Sequence, residues 1–360
     1  MTPAIDMAVT LNNIDKDELR DVMVDLRQPL LNDFPSLEGD VVLVTGGTGS
    51  FGRAFVRRLL DTSKAEKIII LSRDEQKHYS MQQNFTDRRL RFFVGDIRDR
   101  QRLMRALNGV DVVIHAAAMK HVPIAEYNPI EAIRTNIDGA ANLIDAAIDR
   151  GVRQVVALST DKAASPVNLY GATKLCMEKL FVAANSYVGP AKTRFDLVRY
   201  GNVVGSKGSV VPLFLRQREG GELTLTEPSM TRFWIGMDRA VDLVMLALRE
   251  GRGGDVFIPK LPACTVEALA DAVAPAAPKK IIGIRPGEKL HETLITEDES
   301  RSVIEFERYY IIQPNFPWWG EPEDRGGTKV PAGFKYSSDI AQMIDASEVR
   351  ALLIHLGFPV

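Results

Sequence analysis

Tyr170 and Lys174 stand four residues apart in Leu169–Lys174, a spacing that places both side chains on one face of a helix. Free tyrosine ionises near pH 10, and an ammonium beside it favours the phenolate. Such a pair reads as a base that takes a hydroxyl proton while hydride leaves the same carbon. The spacing alone is weak, since one Tyr-x-x-x-Lys arises readily by chance. Its position is stronger: the pair opens a helix after the strand that follows His115–Lys120, where a tyrosine can face a nicotinamide.

A second chemical feature lies near residue 46. Val41–Gly52 reads VVLVTGGTGSFG, with Gly46, Gly49 and Gly52 three residues apart between a strand and a helix. The first glycine permits a tight turn, the second lets backbone approach a pyrophosphate, and the third lets helix pack on strand. With strand and helix both present, a dinucleotide site outweighs a plain turn. The second strand ends in Ser72, Arg73 and Asp74. A hydroxyl and a guanidinium suit the 2'-phosphate of NADP, Asp74 keeps NAD open, and a solvated loop is the alternative. Asp96 stands where an adenine amino group would find an acceptor.

These residues need a scaffold. Runs rich in Val and Ile predict strands at Val41–Thr45, Lys67–Leu71, Arg91–Val94, Val112–Ala116, Gln154–Ser159 and Phe195–Arg199. Helical periodicity predicts Phe51–Leu60, Arg100–Leu107, Pro129–Arg150 and Tyr170–Ala184. The alternation implies an α/β fold: a Rossmann-type doubly wound parallel sheet, with a smaller C-terminal substrate-binding subdomain. The expected division is a lead segment at 1–38, a cofactor-binding domain at 39–205 and a substrate-side region at 206–360. Gly201–Pro212 reads as a loop and Glu219–Phe233 as one short extended segment. The helix at Asp238–Arg249 and the strand at Asp255–Ile258 are expected to return to the sheet.

The 360 residues carry 45 Lys and Arg against 47 Asp and Glu, a net charge of -2, so nothing draws the whole chain to nucleic acid or anionic membrane. Only Cys176 and Cys264 occur, in no metal spacing, which suits a reducing cytoplasm. The five histidines show no ligand spacing either, so no metal is expected, and His115 reads as a buried strand-end residue. No signal peptide and no apolar run of membrane-spanning length is present. The expectation is a cytoplasmic protein. Trp234, Trp318 and Trp319 read as packing residues.

The glycine loop together with Tyr170 and Lys174 resembles the extended short-chain dehydrogenase/reductase family, over roughly Asp40 to Gln313. Within it, Ser159–Lys174 (STDKAASPVNLYGATK) and Arg285–Glu292 (RPGEKLHE) look like the inverting UDP-N-acetylglucosamine 4,6-dehydratases that open pseudaminic acid biosynthesis. That resemblance implies a UDP-sugar substrate, a tightly bound NADP regenerated at each turnover, and a homo-oligomer, dimer or higher. It assigns Gly46, Thr48, Gly49, Ser50, Phe51, Gly52, Ser72, Arg73, Asp74, Lys77, Asp96, Ile97, Ala116 and Lys120 to the cofactor, with Tyr170 and Lys174. For the substrate it implies Lys120, Thr160, Asn202, Val203, Val210, Arg232 and Arg285. The two arginines suit a diphosphate by their planar donors, though each alone reads as a solvated surface residue.

A 4-epimerase of this family needs only a hydroxyl residue, the tyrosine and the lysine. Here Asp161 and Lys162 follow Thr160, and an acid beside an amine suggests elimination. The implied order is oxidation at C4 with Tyr170 taking the O4 proton, and removal of the C5 hydrogen by Lys162. Asp161 then protonates the departing C6 hydroxyl, and hydride returns to C6. Related glucose-nucleotide dehydratases carry Glu after the Asp and keep the C5 configuration, and membrane-bound retaining relatives carry Met in place of Tyr170. Both differences point to inversion. Lysine ordinarily titrates near 10.4, so a base at Lys162 is expected to have its pKa depressed. A retaining dehydratase, a 4-epimerase and a non-catalytic NADP-binding scaffold are the other readings, and a surface ion pair is the bland one for Asp161 and Lys162.

Overall fold

The computed structural model describes residues 30–31, 33–205, 209–315 and 324–360. Most of the expected lead segment at 1–38, and Trp318 and Trp319, lie outside the described residues.

Six apolar runs form β1 (Val41–Thr45), β2 (Lys67–Ser72), β3 (Leu90–Val94), β4 (Val112–His115), β5 (Gln154–Leu158) and β6 (Arg194–Val198). β4 and β5 are buried along their whole length, as strands covered on both faces must be. They pair in parallel in the order β3-β2-β1-β4-β5-β6. The direction of winding reverses between β1 and β4, so a crevice opens beyond the carboxyl ends of those two strands.

The covering helices are α1 (Ser50–Thr62), α2 (Glu75–Asn84), α3 (Arg100–Ala106), α4 (Val122–Tyr127), α5 (Pro129–Ile133), α6 (Gly139–Arg150) and α7 (Leu169–Ala184). α1 buries Gly52, Phe55, Val56 and Leu59, one stripe at helical spacing. The helix expected across Pro129–Arg150 is interrupted, because a π-helical turn at Arg134–Asp138 joins α5 to α6. That turn carries Asn136, whose side chain accepts from Met119 N at 2.8 Å and donates to Met119 O at 2.9 Å and Thr173 Oγ1 at 3.0 Å. The His115–Lys120 loop and α7 are thereby tied together, and π turns recur where function needs such placement.

The stretch at 201–212 is more than a loop: it holds β7 (Asn202–Val203) and the start of α8 (Val210–Glu219). The single extended segment expected at 219–233 is two strands, β8 (Leu223–Leu225) and β9 (Thr231–Ile235), parted by a turn in which Met230 N donates to Glu227 O. They join different sheets. α9 (Met237–Glu250) and β10 (Val256–Pro259) do return to the main sheet, β10 pairing in parallel with β6. β11 (Ala263–Thr265) pairs with β9, α10 (Val266–Val273) follows, β12 (Lys279–Ile281) pairs with β8, and β13 (Thr293–Ile295) pairs with a late strand at Tyr336–Ser337.

Beyond β10 the main sheet gains β14 (Val303–Glu305), β15 (Tyr309–Ile312) and β16 (Thr328–Lys329), all antiparallel. The sheet is therefore mixed, with ten strands among the described residues. These three strands are two to four residues long, too short for a period-two pattern to register in sequence. α11 (Ala346–His355) packs on α10 over a second apolar core that includes Phe214 and Trp234. Among the described residues, no helix is long and apolar enough to cross a membrane.

Candidate active site

The crevice begins at the turn between β1 and α1. Gly46 has φ +64°, and a Cβ there would stand 2.9 Å from Ala117 N, so only glycine lets the ends of β1 and β4 meet. A Cβ on Gly52 would stand 2.5 Å from Gly47 Cα, which fixes the close packing of α1 on the turn. Gly49 is the N-cap of α1 and offers no side-chain cap, so the first-turn amides are left to an anion. Ser50 is exposed beside them, and Phe51 stacks on Phe55. Thr48 Oγ1 bonds Ser72 Oγ at 2.9 Å and ties the loop to the end of β2. This cradle fits the pyrophosphate of a nicotinamide dinucleotide, and its closeness at Gly46 and Gly52 leaves no room for a side chain.

At the end of β2, the Ser72 hydroxyl is engaged by Thr48 and by His78 Nε2 at 2.9 Å. Asp74 caps α2 by accepting from Lys77 N at 3.0 Å, and Lys77 Nζ sits 2.9 Å from its carboxylate, which holds the Asp74 carboxyl below its ordinary range. Arg73 stays exposed, its Nη1 3.7 Å from Asp96. Burial raises the Asp96 carboxyl, but Arg98, donating at 2.9 and 2.7 Å, outweighs it and keeps the group low. Ile97 is buried, with its side chain against Gly139. Ala116 lies half-buried past β4. Thr45 Oγ1 accepts from Ala117 N and bonds His115 Nδ1 at 2.8 Å; burial, then the charge of Lys174, pushes the His115 imidazole down to about 3.

The reactive groups gather past β5. Asn168 caps α7 by accepting from Gly171 N at 2.8 Å, so the helix starts just before Tyr170. A Cβ on Gly171 would stand 2.1 Å from Lys162 O, so that glycine lets the 3₁₀ turn at Asp161–Ala163 lie against the first turn of α7. Thr160 sets the turn: its hydroxyl accepts from Lys162 N and donates to Asp161 Oδ1 at 2.9 Å. Asp161 is buried, and its Oδ2 has no hydrogen-bond partner. Lys162 Nζ lies 3.0 Å from Asp161 Oδ1, 3.3 Å from Glu292 Oε1 and 3.3 Å from Asn202 Oδ1. Asp161 and Lys162 are therefore no surface ion pair.

Two electrostatic expectations change here. Burial does lower the Lys162 ammonium, but Asp161 and Glu292 outweigh it and hold the group above its ordinary range, not below. Glu292 belongs to a distant stretch of chain, so the sequence could not count its charge. Burial pushes the Tyr170 phenol up to about 12, against the charge of Lys162 and the bond to Thr160. Lys174, expected to supply an ammonium at Tyr170, makes its hydrogen bonds elsewhere. Its Nζ donates to Leu158 O at 2.6 Å and to Met177 Sδ at 2.9 Å, and burial brings it down to about 8. The cation acting on Tyr170 is Lys162.

The motif Arg285–Glu292 is a strap across this cluster. Asn168 Nδ2 donates to Gly287 O at 2.8 Å, and Lys289 Nζ donates to Ala164 O at 2.6 Å. Arg232 spends its donors on the strap, bonding Lys289 O at 3.0 Å and Leu290 O at 3.1 Å. Arg285 is exposed, with Glu288 at 3.9 Å. Of the two arginines, Arg285 keeps its guanidinium toward solvent while Arg232 builds the floor. Lys120 stands exposed at the rim, where crowding by the protein lowers its ammonium. Val203 pairs with Ile235, and Val210 opens α8 half-buried.

Sequence reasoning missed Asn136, Tyr200 and Glu292. Tyr200 is buried near Tyr170, and burial together with that neighbour raises its phenol. Glu292 lay inside a recognised motif, but nothing in the spacing distinguishes which of the motif's charged residues turns inward.

The model of a family described as polysaccharide biosynthesis protein matches residues 42–314. A UDP-N-acetylglucosamine 4,6-dehydratase (inverting) from Campylobacter jejuni subsp. jejuni is 52% identical over 310 residues, 84% of this chain and 93% of that protein. The X-ray structure of Pen from Bacillus thuringiensis superposes with a TM-score of 0.82 at 37% identity, over 89% of this chain and all of that one. A dTDP-glucose 4,6-dehydratase from Streptomyces venezuelae, solved with NAD bound, has a TM-score of 0.63 at 27% identity, over 69% of this chain and 86% of that one.

Proposed function

Since the chain belongs to the polysaccharide biosynthesis protein family, we propose that it is a 5-inverting UDP-N-acetylglucosamine 4,6-dehydratase, a hydro-lyase. The product is UDP-2-acetamido-2,6-dideoxy-β-L-arabino-hex-4-ulose. The observation that carries this reading is the buried Asp161–Lys162 pair beside Tyr170, since a 4-epimerase needs no acid and base there. The 52% identity to an inverting dehydratase supports the substrate class.

A nicotinamide dinucleotide held by the Gly46–Gly52 turn would supply reversible oxidation, with hydride lost from C4 and regained at C6 as C5 regains a proton. The chain's residues do the rest. Tyr170 accepts the O4 proton as its phenolate, the form that the charge of Lys162 and the bond to Thr160 favour against burial. The resulting ketone acidifies C5–H, and elimination then needs an amine at Lys162 and an acid at Asp161. Both arise from one proton moving the 3.0 Å from Lys162 Nζ to Asp161 Oδ1. The ionic pair is the resting form, since Asp161 and Glu292 outweigh burial at the lysine, so the neutral pair is reached only as the reaction proceeds. Lys162 takes the C5 proton, and Asp161 gives its proton to the C6 hydroxyl, which leaves as water.

NADP is the proposed cofactor. Asp74 is occupied as a helix cap with Lys77 on its carboxylate, whereas Arg73 is exposed beside the end of β2. No part of this rests on a global charge. The proposed setting is a soluble homo-oligomer of the cytoplasm, as the resemblance implies.

The test is incubation with UDP-N-acetylglucosamine in deuterated water. The expected product is the 4-keto-6-deoxy sugar with L-arabino configuration and deuterium at C5. A galacto product without water loss establishes an epimerase, and retained C5 configuration a retaining enzyme. Absence of any product at stoichiometric protein leaves the scaffold reading.

A further inference from the structure

Glu292 neither gives nor takes a proton in the elimination, yet it is buried beside the reacting lysine. Its Oε1 lies 3.3 Å from Lys162 Nζ, and its Oε2 is buried without a hydrogen bond. The fold takes trouble to put it there. Glu292 N donates to Ser338 Oγ at 2.9 Å and its carbonyl accepts from Ser338 N at 2.8 Å. Two residues on, Leu294 O accepts from Arg199 Nη1 at 2.9 Å, and Arg199 is itself locked to Glu178 of α7 at 2.6 Å. The strap that bears Glu292 is thus fastened to the same helix that carries Tyr170.

The groups around Lys162 can be named from each element packed on it. Asp161 comes from its own turn, Asn202 from β7, Arg232 from β9, Tyr170 from α7, and Lys289 with Glu292 from the strap. Asp161 and Asn202 accept hydrogen bonds from the ammonium, and Glu292 forms an ion pair with it at 3.3 Å. Only Asp161 is needed to shuttle the proton, and Asn202 is neutral. Glu292 is the second negative charge, partly answered by Arg232 Nε at 3.8 Å and Lys289 Nζ at 3.9 Å.

We propose that Glu292 is a positioning residue of the elimination: its carboxylate orients Lys162 and fixes the proton count of the Lys162–Asp161 pair, so it sets the pH range in which water is lost. This rests on the dehydratase reading. Elimination needs one proton on the pair, shared between Nζ and Oδ1. When a second proton arrives at low pH, Asp161 is protonated while Lys162 stays an ammonium, and no base remains. A carboxylate beside the pair makes that second proton arrive at higher pH, so removing its charge moves the acidic limb downward.

The experiment compares the native protein with Glu292→Gln, which keeps the shape, and with Glu292→Asp, which keeps the charge one methylene further back. Two readouts are taken: the pH profile of kcat for water loss, and titration of the Lys162 ammonium by NMR of protein labelled with ¹⁵N-lysine. The glutamine variant is expected to move the acidic limb and the Lys162 titration to lower pH by about one to three pH units. The aspartate variant is expected to move both the same way by less, and it serves alone if the glutamine variant does not fold. A fall in kcat at every pH, with limb and titration in place, overturns the proposal. If the native protein makes no 4-keto product, the dehydratase reading fails, while the NMR titration still decides whether Glu292 governs the proton on Lys162.

Discussion

The phosphate loop and the elimination cluster are built on opposite plans. The loop closes within Val41–Gly52, and what makes it work is steric: Gly46 and Gly52 leave room where a Cβ would strike backbone. The cluster draws Asp161 and Lys162 from one turn, Asn202 from β7, Arg232 from β9 and Glu292 from the strap, and what makes it work is charge. Steric requirements are carried by residue type over a few positions. Charge balance depends on every neighbour, including those far along the chain.

The largest expected effect separates the two. Lys162→Met should lower the rate of water loss by about 10² to 10⁴-fold, the range for a lost general base, with cofactor affinity unchanged. Product assay and cofactor titration on the same sample check it. Native-rate water release by this variant would show that another group is the C5 base.

Next comes the point where sterics and charge meet. Gly171→Ala places a methyl against the carbonyl of Lys162, so the turn bearing the acid and base must shift. A displacement of about 1 Å is expected to reduce kcat about 10²-fold at unchanged cofactor affinity. Gly52→Ala, which meets backbone in the loop, should do the reverse, weakening cofactor binding first. Equal losses of both properties in both variants would mean the regions are not independent.

The smallest effect probes the rim between them. Arg73→Glu is expected to shift preference from NADP toward NAD by about ten- to a hundred-fold, the worth of a charged hydrogen bond. Parallel titration with both dinucleotides measures it, and tighter binding of NAD by the native protein removes the role given to Arg73.

The strands β1 to β6 were legible because most are buried apolar runs of four to six residues; β3, LRFFV, is the half-exposed exception at the sheet edge. The antiparallel β14 to β16 were not, since two to four residues carry no period and their pairing is decided by what lies beside them. In the site, Tyr170 and Asp161 could be picked out by their neighbours in sequence. Asn136 could not, because an asparagine inside a helical pattern gives no sign that it bonds Met119 across a π turn. Arg232 was recognised as a site residue, but its guanidinium holds the strap at Lys289 and Leu290.

By itself the sequence determined the parallel α/β core, the glycine cradle and the run Thr160–Lys162 with Tyr170. Each is a matter of residue type at short spacing, where sterics and periodicity act locally. Only the tertiary structure decided the charge on Lys162 and the source of the cation at Tyr170. Folding brings Glu292 to 3.3 Å from Lys162 and directs Lys174 to Leu158, and at such distances in a buried site Asp161 and Glu292 together outweigh burial at the lysine.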